Sequence, residues 1–555
     1  MFPAPMGDHS DLSDIRAQFL PSLDPDFQPI SLVLRQARRR IANGANAVEL
    51  TLLLERLPGD RSVHRISVPN PADDDSGEVE QLAERICKFL LWQQGASRVG
   101  IHSSDGSDRL AKRLAKVYSA DGARAFDADM MQRTYGRPLV IESIDQAEAE
   151  ATDTAKTIGG HLDGCRIGFD LGASDYKLAA VQDGEPVFTT EIPWDPRVEV
   201  DPAWHRAKIN EGLKLAAEKL PRVDAIGGSS AGIIVDCEPR VASLFRSVPD
   251  GQFAERVRPI FRSLGEEWGV PFEVANDGDV TALAGAMSLK TNGVLGLAMG
   301  SSQAVGFLDQ QGRITGWLNE LAFAPVDFHP AGPVDEWSGD IGCGVQYFSQ
   351  QGVVRLAKLA GIDLPDAHPA VQLKHVQELH EAGDERVPPI FNDIGICLGY
   401  ALGLYAEFYD FSQLLALGRV TSGRGGEQIV SRAEKVLRGE FPELAEKVQL
   451  QLPDEKSKRV GQAVAGALGA GLAQAGNQCI DFIQAVERQR RADQFCGHQC
   501  FGDPDQGVFG GAHQLGRARV FRARFAAQTL DQAGVQLDHP VSGGIASQAA
   551  LVIHN

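Results

Sequence analysis

The sequence lacks any apolar run close to the roughly 18 residues that a membrane-spanning helix needs. Its first 13 residues contain no basic segment leading into an apolar core, so no secretory signal is expected. Cysteine is sparse, with eight among 555 residues, which is too few for a disulfide framework in a chain of this length. Together these absences predict a soluble cytoplasmic protein in a reducing compartment, with no membrane partner.

Positive charge is also in short supply. Lysine and arginine number 54 against 74 aspartate and glutamate residues, which gives a formal net charge of -20. Such a chain repels a phosphate backbone, so no nucleic-acid partner is expected. The basic run at residues 35–40 is interpreted as the solvated face of a helix or strand end.

The first section of the chain, residues 1–160, has the pattern of a small α/β domain. A strand-like run at 47–54 is followed by helical spacing at 78–92, a strand beginning at 98–101 and a second helix at 108–118. The length of the chain favours two to four folding units, of which this is one. Its role is not indicated by any motif.

The remaining sequence divides into a central domain and a tail. Residues 163–470 alternate short apolar strands with amphipathic helices, which favours an α/β fold with lobes at about 163–285 and 286–470. Residues 471–555 contain no Lys, Tyr, Trp or Met and show weak periodicity. We expect an irregular tail, either disordered or produced by a change of reading frame, and an intact-mass measurement beside the nucleotide sequence distinguishes the two.

A glycine-containing turn joins two apolar strands near residue 170. Small residues at 172–174, including Gly172 and Ser174, allow backbone N–H groups and a hydroxyl to approach a phosphate. Asp170, at the end of the first strand, is placed to hold Mg²⁺ through water. The alternative is an ordinary hairpin, because Asp-x-Gly turns join strands in many unrelated proteins.

A second polar cluster, Asn276-Asp277, follows an apolar strand and precedes a helix rich in small residues. A carboxylate at this junction can accept the proton of an alcohol that attacks a γ-phosphoryl group, which makes Asp277 a candidate base. The alternative is a capping turn in which Asp277 or Asp279 caps the helix.

Two further glycine-rich segments follow. The turn Gly300-Ser301-Ser302 again lies between apolar strands, and this second hairpin suggests that two lobes share one plan. The loop from Gly418 to Gly426 leads from a strand into a helix, and its glycines allow an adenine and ribose to pack closely. A simple strand-to-helix loop remains the alternative for this last segment.

In this order and spacing, the four segments resemble the ROK (repressor, open reading frame, kinase) sugar kinases over roughly 300 residues. The segment from Asp170 to Lys177 resembles the family's first phosphate loop, although Asp175 stands where lysine is usual. The Gly232 region is similar to the segment lining the sugar cleft. The residues that the resemblance implies for nucleotide and phosphate binding are Asp170, Gly172, Ser174, Lys177, Gly300, Ser301, Ser302, Gly418, Thr421 and Gly423.

The resemblance implies a two-lobed actin-like, ribonuclease-H-like ATPase fold, here preceded by the small α/β domain. It also implies three sugar contacts, of which this sequence keeps Glu320 but has Phe323 at the histidine and Val345 at the second glutamate. The family's cysteine-rich zinc loop is reduced to Cys343. Because a structural zinc needs about four ligands, no zinc site is predicted.

These features predict an ATP- and Mg²⁺-dependent kinase that phosphorylates a sugar-like hydroxyl. Asp277 is the base, and Asn276, Glu320 and Gly232 bind the substrate. The alternative is a non-catalytic nucleotide- or sugar-binding regulatory protein, which Asp175 and Val345 favour. A repressor is not expected, because the first section shows strand signals and an acidic loop where a DNA-binding helix-turn-helix is needed. A homodimer is a further expectation.

Overall fold

The computed structural model describes residues 11–152, 156–157, 163–172, 175–452 and 466. The tail predicted at 471–555 and the predicted phosphate contact Ser174 lie outside the described residues. Within the described ranges, no helix combines the length and the apolar character that crossing a membrane requires.

The strands are β1 Ala47–Glu55, β2 Arg61–Pro69, β3 Arg98–Ser103, β4 Val140–Ser143, β5 Lys156–Thr157, β6 Cys165–Leu171, β7 Asp175–Gln182, β8 Glu185–Pro193, β9 Ala225–Ser230, β10 Ile233–Val235, β11 Glu238–Val241, β12 Phe272–Asn276, β13 Val294–Met299, β14 Gln303–Leu308, β15 Arg313–Ile314, β16 Gln413–Leu417 and β17 Gln449–Gln451. The helices are α1 Ile30–Ala42, α2 Glu78–Gln94, α3 Arg109–Val117, α4 Ala125–Tyr135, α5 Pro202–Ala217, α6 Asp250–Gln252, α7 Ile260–Trp268, α8 Asp277–Leu289, α9 Gln350–Leu359, α10 Pro369–Glu381, α11 Pro388–Tyr405, α12 Arg424–Glu440 and α13 Pro442–Lys447.

The first section folds into the small α/β unit that its sequence predicts. Its four strands lie in the order β2-β1-β3-β4, with β1 antiparallel to both neighbours and β3 parallel to β4. Helix α2 is buried along nearly its whole length. It contacts this sheet on one side, and through Lys88 and Trp92 it contacts residues after position 320 on the other.

Two further sheets share one strand order. The first has the order β12-β9-β6-β7-β8, and the second has β17-β16-β13-β14-β15, with β5 added beyond β15. In each, a meander of three antiparallel strands is followed by two strands parallel to the first of the three. This repetition confirms both the duplicated lobes and the two-lobed actin-like fold.

The centre of the first lobe is tightly packed around β6. All seven residues of this strand are buried, as a central strand covered on both faces requires. The Phe169 ring contacts those of Phe261 and Phe272, at 6.1 and 5.8 Å between centroids. A Cβ at Gly228 would lie 2.3 Å from the Phe169 ring, so this neighbouring position of β9 has room only for glycine.

Helix α8 connects the lobes and packs on the second sheet. Val280, Leu283 and Ala286 form a buried cluster with residues of β13, β14 and β16. By packing, α8 joins the second lobe, although the sequence places the boundary after residue 285. The strand before α8 lies in the first sheet, so the start of the helix stands between the lobes.

The N-terminal unit shares a hydrophobic core with the second lobe. One continuous cluster contains buried residues of α1, α2 and β1 together with residues of α9, α11 and α12. At its centre, the Phe89 ring lies 5.8 Å from Tyr405 and 5.1 Å from Phe408. The N-terminal unit therefore borders the second lobe directly, and the predicted domain boundary near residue 160 stays a prediction.

Candidate active site

The junction between β12 and α8 places Asn276 and Asp277 at the interlobe cleft. The side-chain oxygen of Asn276 accepts a hydrogen bond from the Gly278 amide at 2.7 Å, so Asn276 caps the helix. Its amide nitrogen donates to the Gly232 carbonyl, also at 2.7 Å. The capping role considered for Asp277 is thus filled by its neighbour, and Asp277 lines the cleft cavity.

The environment of Asp277 favours the neutral form of its carboxyl group. Burial, and next the negative charge of Asp170, raise its pKa to about 6. A base with this pKa is mostly ionised at neutral pH and still accepts a proton readily. The position and the pKa together suit general-base chemistry.

Two more carboxyl groups lie close to Asp277. Burial, followed by the charges of Asp277 and Asp279, raises the pKa of Glu320 to about 8. Burial raises that of Asp279 to about 7. At pH 7 Glu320 is therefore mainly protonated, and its hydroxyl can donate a hydrogen bond to a ligand.

Asp279 anchors the segment that carries Glu320. The Asn319 side-chain amide donates to Asp279 at 2.9 Å, and the Asn319 oxygen accepts from the Tyr409 hydroxyl at 2.9 Å. Asn319 itself has a left-handed backbone with φ of 53°. We interpret this series of hydrogen bonds as the support that fixes Glu320 against α8.

Asp170 lies at the end of β6, where its carboxylate is already hydrogen-bonded. Ser229 donates to one of its oxygens, and the Lys177 ammonium lies 3.1 Å from the other. Lys177 is also 3.3 Å from Asp175. Burial alone would lower the pKa of Lys177, but the two carboxylates outweigh it and raise the pKa. The unusual Asp175 thus shares the lysine of its own loop with Asp170.

The two predicted phosphate turns close in a similar way. The Gly172 amide donates to the Asp175 carbonyl at 3.0 Å, and the Gly300 amide donates to the Ser302 carbonyl at 2.9 Å. Both glycine amides are therefore engaged within their own turns. Ser301 and Ser302 are exposed, and Ser302 reaches the wall of the cleft cavity.

The predicted adenosine loop lies beside the second phosphate turn. Strands β13 and β16 are parallel neighbours, so Gly300 and Gly418 follow them at the same edge of the sheet. Gly418 has φ of 94°, and a Cβ there would lie 2.4 Å from the Met299 carbonyl oxygen. Thr421 is buried and donates to the Gly418 carbonyl at 3.0 Å, while Gly423 immediately precedes α12.

A cavity of about 790 Å³ lies between the lobes and against α4 of the N-terminal unit. The predicted site residues in its wall are Gly232, Asn276, Asp277, Glu320 and Ser302. The predicted residues that do not line it are Asp170, Gly172, Lys177, Gly300, Ser301, Gly418, Thr421 and Gly423. The predicted acceptor residues therefore line this cavity together with Ser302 of the second phosphate turn, and the other predicted nucleotide residues lie outside its wall.

The two residues that replace the expected sugar contacts, Phe323 and Val345, both pack against other side chains. Phe323 lines the cavity, and its ring lies 4.5 Å from Trp92 and 5.3 Å from Phe126, both of the N-terminal unit. Val345 is buried beside Cys343 in a small apolar cluster. Where the resemblance implies a histidine and a glutamate, the chain has an aromatic wall and a packed core position.

A buried ion-pair network occupies the loop in which the resemblance places zinc ligands. Asp340 lies 2.9 Å from Arg85, 2.6 Å from Lys88 and 2.9 Å from Arg124. Burial alone would raise the pKa of Asp340, but the cations outweigh it and lower the pKa. Among the described residues, no group of three or more His, Cys, Asp or Glu side chains is placed to hold a metal ion.

Four arginines in the cavity wall carry no signal in the sequence motifs. They are Arg133, Arg240, Arg246 and Arg258. Three come from the segment between β10 and α7 and one from α4 of the N-terminal unit, far from every glycine-rich turn. For the three arginines of the first lobe, the only indication in the sequence is the excess of arginine at residues 240–258.

The repeated strand order defines a two-lobed actin-like fold. Solved structures of ROK proteins are similar to this chain. The ROK hexokinase from Thermus thermophilus is 18% identical, with 55% of this chain and 97% of that chain covered, at a TM-score of 0.44. The Streptomyces griseus glucokinase, in complex with glucose and AMPPNP, is 21% identical, covering 55% and 98%, at 0.42.

A ROK family transcriptional regulator, a homologue of the E. coli MLC protein, is 18% identical, covering 66% of this chain and 88% of that chain, at a TM-score of 0.45. All these identities are below 25%, and all these TM-scores are below 0.5. No protein-family model matches the sequence. No curated protein matches it either.

Proposed function

We propose that the chain transfers the γ-phosphoryl group of ATP to a hydroxyl of a sugar-like molecule. The observation that carries the proposal is Asp277, a carboxyl with a pKa of about 6 in the wall of an interlobe cavity. Asp277 takes the hydroxyl proton while the acceptor oxygen bonds to the γ-phosphorus. The bond from that phosphorus to the β,γ-bridging oxygen breaks, and ADP leaves with the electron pair.

Neighbouring groups position the acceptor. Asn276 is held by bonds to Gly278 and Gly232, which fixes the orientation of the adjacent Asp277. Protonated Glu320 donates a hydrogen bond to the acceptor from the second lobe. Holding the hydroxyl and the base together supplies a large part of the rate enhancement in reactions of this kind.

The nucleotide binds, in this proposal, along the turns at 172–174 and 300–302 and beside Gly418, Thr421 and Gly423. Asp170 suits a water-mediated contact to Mg²⁺, because its own oxygens already accept from Ser229 and pair with Lys177, and Mg²⁺ usually keeps several waters. When bound on the nucleotide, that ion neutralises charge on the phosphates.

The test is Asp277→Asn, with ATP and a panel of sugars. We expect phosphoryl transfer, followed as ADP release, to fall by about a hundredfold or more, in line with the usual contribution of a general base. Nucleotide binding should persist, because the proposed nucleotide contacts are made by other residues. Asp363→Asn, which changes an exposed carboxyl outside the cavity, is the matched control. Full activity in Asp277→Asn would remove Asp277 from the reaction.

A second candidate is a non-catalytic nucleotide- or sugar-binding regulator. It is favoured by Lys177, the lysine of the first phosphate loop, because its ammonium group is already paired with Asp170 and Asp175. This candidate predicts a ligand-induced rise in melting temperature without turnover. Turnover of any sugar with ATP, abolished by Asp277→Asn, decides for the kinase.

A further inference from the structure

The first-lobe wall of the cleft cavity has an unusual concentration of positive charge. Arg240, Arg246 and Arg258 line it, in a chain whose formal net charge is -20. They face the same cavity as Asn276 and Asp277. A ligand that spans this cavity therefore meets the candidate base at one place and guanidinium groups at another.

These guanidinium groups are poorly supplied with partners. Among the described residues, the side chains of Arg246 and Arg258 form no ion pair within 4.0 Å and no hydrogen bond; Arg246 is exposed, whereas Arg240 and Arg258 are half-buried. Arg240 lies 3.0 Å from Glu238, which it shares with Arg262 at 2.8 Å. The Nε atoms of Arg240 and Arg258 are buried without a hydrogen-bond partner.

Arg133 differs from these three. It lies 2.8 Å from Asp129 on its own helix, and its side chain is 60% exposed. It is therefore satisfied within α4. The unmet buried hydrogen-bonding capacity belongs to Arg240 and Arg258, and Arg246 adds an exposed positive charge to the same wall.

A buried N–H without an acceptor is costly, and arginine binds carboxylate and phosphate groups through two parallel hydrogen bonds. The aromatic ring of Phe323 stands where the resemblance expects a histidine that contacts a sugar. An anionic group on the acceptor would supply the oxygen atoms that the arginines lack, on the side of the cavity formed by the first lobe.

We propose that the acceptor is an anionic sugar-like molecule, a sugar acid or a sugar phosphate, whose charged group is bound by Arg240, Arg246 and Arg258. This rests on the proposed function, because it names the class of acceptor for the same cavity. The hydroxyl that reacts lies at Asp277, and the carboxylate or phosphate lies at the arginines.

The experiment measures binding to the full-length protein by calorimetry without nucleotide. The probes are hexuronic acids and hexose 6-phosphates, each beside its neutral hexose, with inorganic phosphate and ATP as further arms. We expect at least one anionic sugar to bind about tenfold or more tightly than its neutral counterpart. The two sugar classes distinguish a carboxylate from a phosphate ligand.

The variants are Arg246→Ala with Arg258→Ala, and the same pair changed to lysine. Loss of the anionic preference in the alanine pair, with partial retention in the lysine pair, is the expected result. Arg256→Ala is the matched control, since Arg256 lies in the same segment, outside the cavity, and pairs at 3.5 Å with Asp201 at an exposed site. It should leave binding unchanged.

Failure of this inference differs from failure of the kinase proposal. The inference would be overturned if neutral hexoses bound as tightly as every anionic probe. It would also be overturned if no anionic sugar bound at millimolar concentration. A third contrary result would be an alanine pair that weakens only the binding of ATP, because the arginines would then bind the nucleotide. The kinase proposal is judged separately, by ATP-dependent transfer and its loss in Asp277→Asn.

Discussion

At the scale of single residues, the carboxyl groups of the cleft act as a coupled set. Burial, and next the charge of Asp170, raise the pKa of Asp277 to about 6; burial, and next the charge of Asp277, raise that of Glu320 to about 8. Coupled groups titrate in macroscopic steps that belong to the set. Between these two values the base is ionised while Glu320 remains a hydrogen-bond donor.

The pH dependence of kcat/KM follows from this difference. Activity should rise with pH as Asp277 loses its proton near pH 6, and fall as Glu320 loses its proton near pH 8. In Glu320→Gln the descending limb should disappear, because an amide keeps a donor at every pH, and the ascending limb should stay. Steady-state rates across pH 5 to 9 measure both limbs.

Glu266→Gln is the control for this profile, because Glu266 is an exposed carboxyl away from the cavity. Its profile should match the unchanged protein. If Glu320→Gln kept the descending limb, Glu320 would not be the group that titrates there.

Asn276, Asp277 and Glu320 could be singled out as site candidates because their signals in the sequence are local. Asn276 and Asp277 follow one strand directly, and Glu320 belongs to a short recognisable segment. Arg246 and Arg258 were not predictable as part of the site, because nothing in the residues beside them indicates a cavity. Their placement depends on how the segment between β10 and α7 folds back over the cleft.

At the scale of elements, the strand–turn–strand pattern predicted both hairpins, and the strand order confirmed the repeated lobes. The pattern did not predict how the turns use their own amides. Gly172 and Gly300 each donate within the turn, which depends on backbone angles that composition does not specify. It also gave no sign that α4 would line the cleft, or that side chains of α2 and α4 would pack against Phe323.

The aromatic contact between these helices and Phe323 should be important for stability. Phe323→Ala removes ring contacts to Trp92 and Phe126, so we expect a loss of about 2–4 kcal/mol in the free energy of unfolding. Phe323→Leu keeps most of the apolar volume and should cost less. Denaturant unfolding measures both, and equal losses in the two variants would argue against a specific role for the ring.

At the scale of the whole molecule, the N-terminal unit and the second lobe are joined by a hydrophobic core and by buried charges. Lys88 is fully buried and lies 2.6 Å from Asp340 and 3.1 Å from Asp127. The loop of Asp340 corresponds to the one in which the resemblance implies zinc. Ion pairs from α2 and α4 hold this loop here, which gives the N-terminal unit a structural role that its sequence did not reveal.

Asp340→Asn tests this connection. It leaves Arg85, Lys88 and Arg124 without their shared carboxylate, and breaking a buried pair costs about 3–5 kcal/mol. Denaturant unfolding should show a loss of that size. Adding Arg124→Met to Asp340→Asn should recover part of it, because Arg85 keeps Glu84, Lys88 keeps Asp127 and the excess buried cation is removed.

Glu407→Gln provides the matched control. It breaks an exposed ion pair between Glu407 and Arg38, whose atoms lie 2.6 Å apart, and such surface pairs contribute about 0–1 kcal/mol. A loss in Asp340→Asn no larger than this would show that the loop does not depend on the network. A larger loss that Arg124→Met partly reverses would show that the N-terminal unit stabilises the loop through Asp340, because the recovery measures the coupling between the two charges.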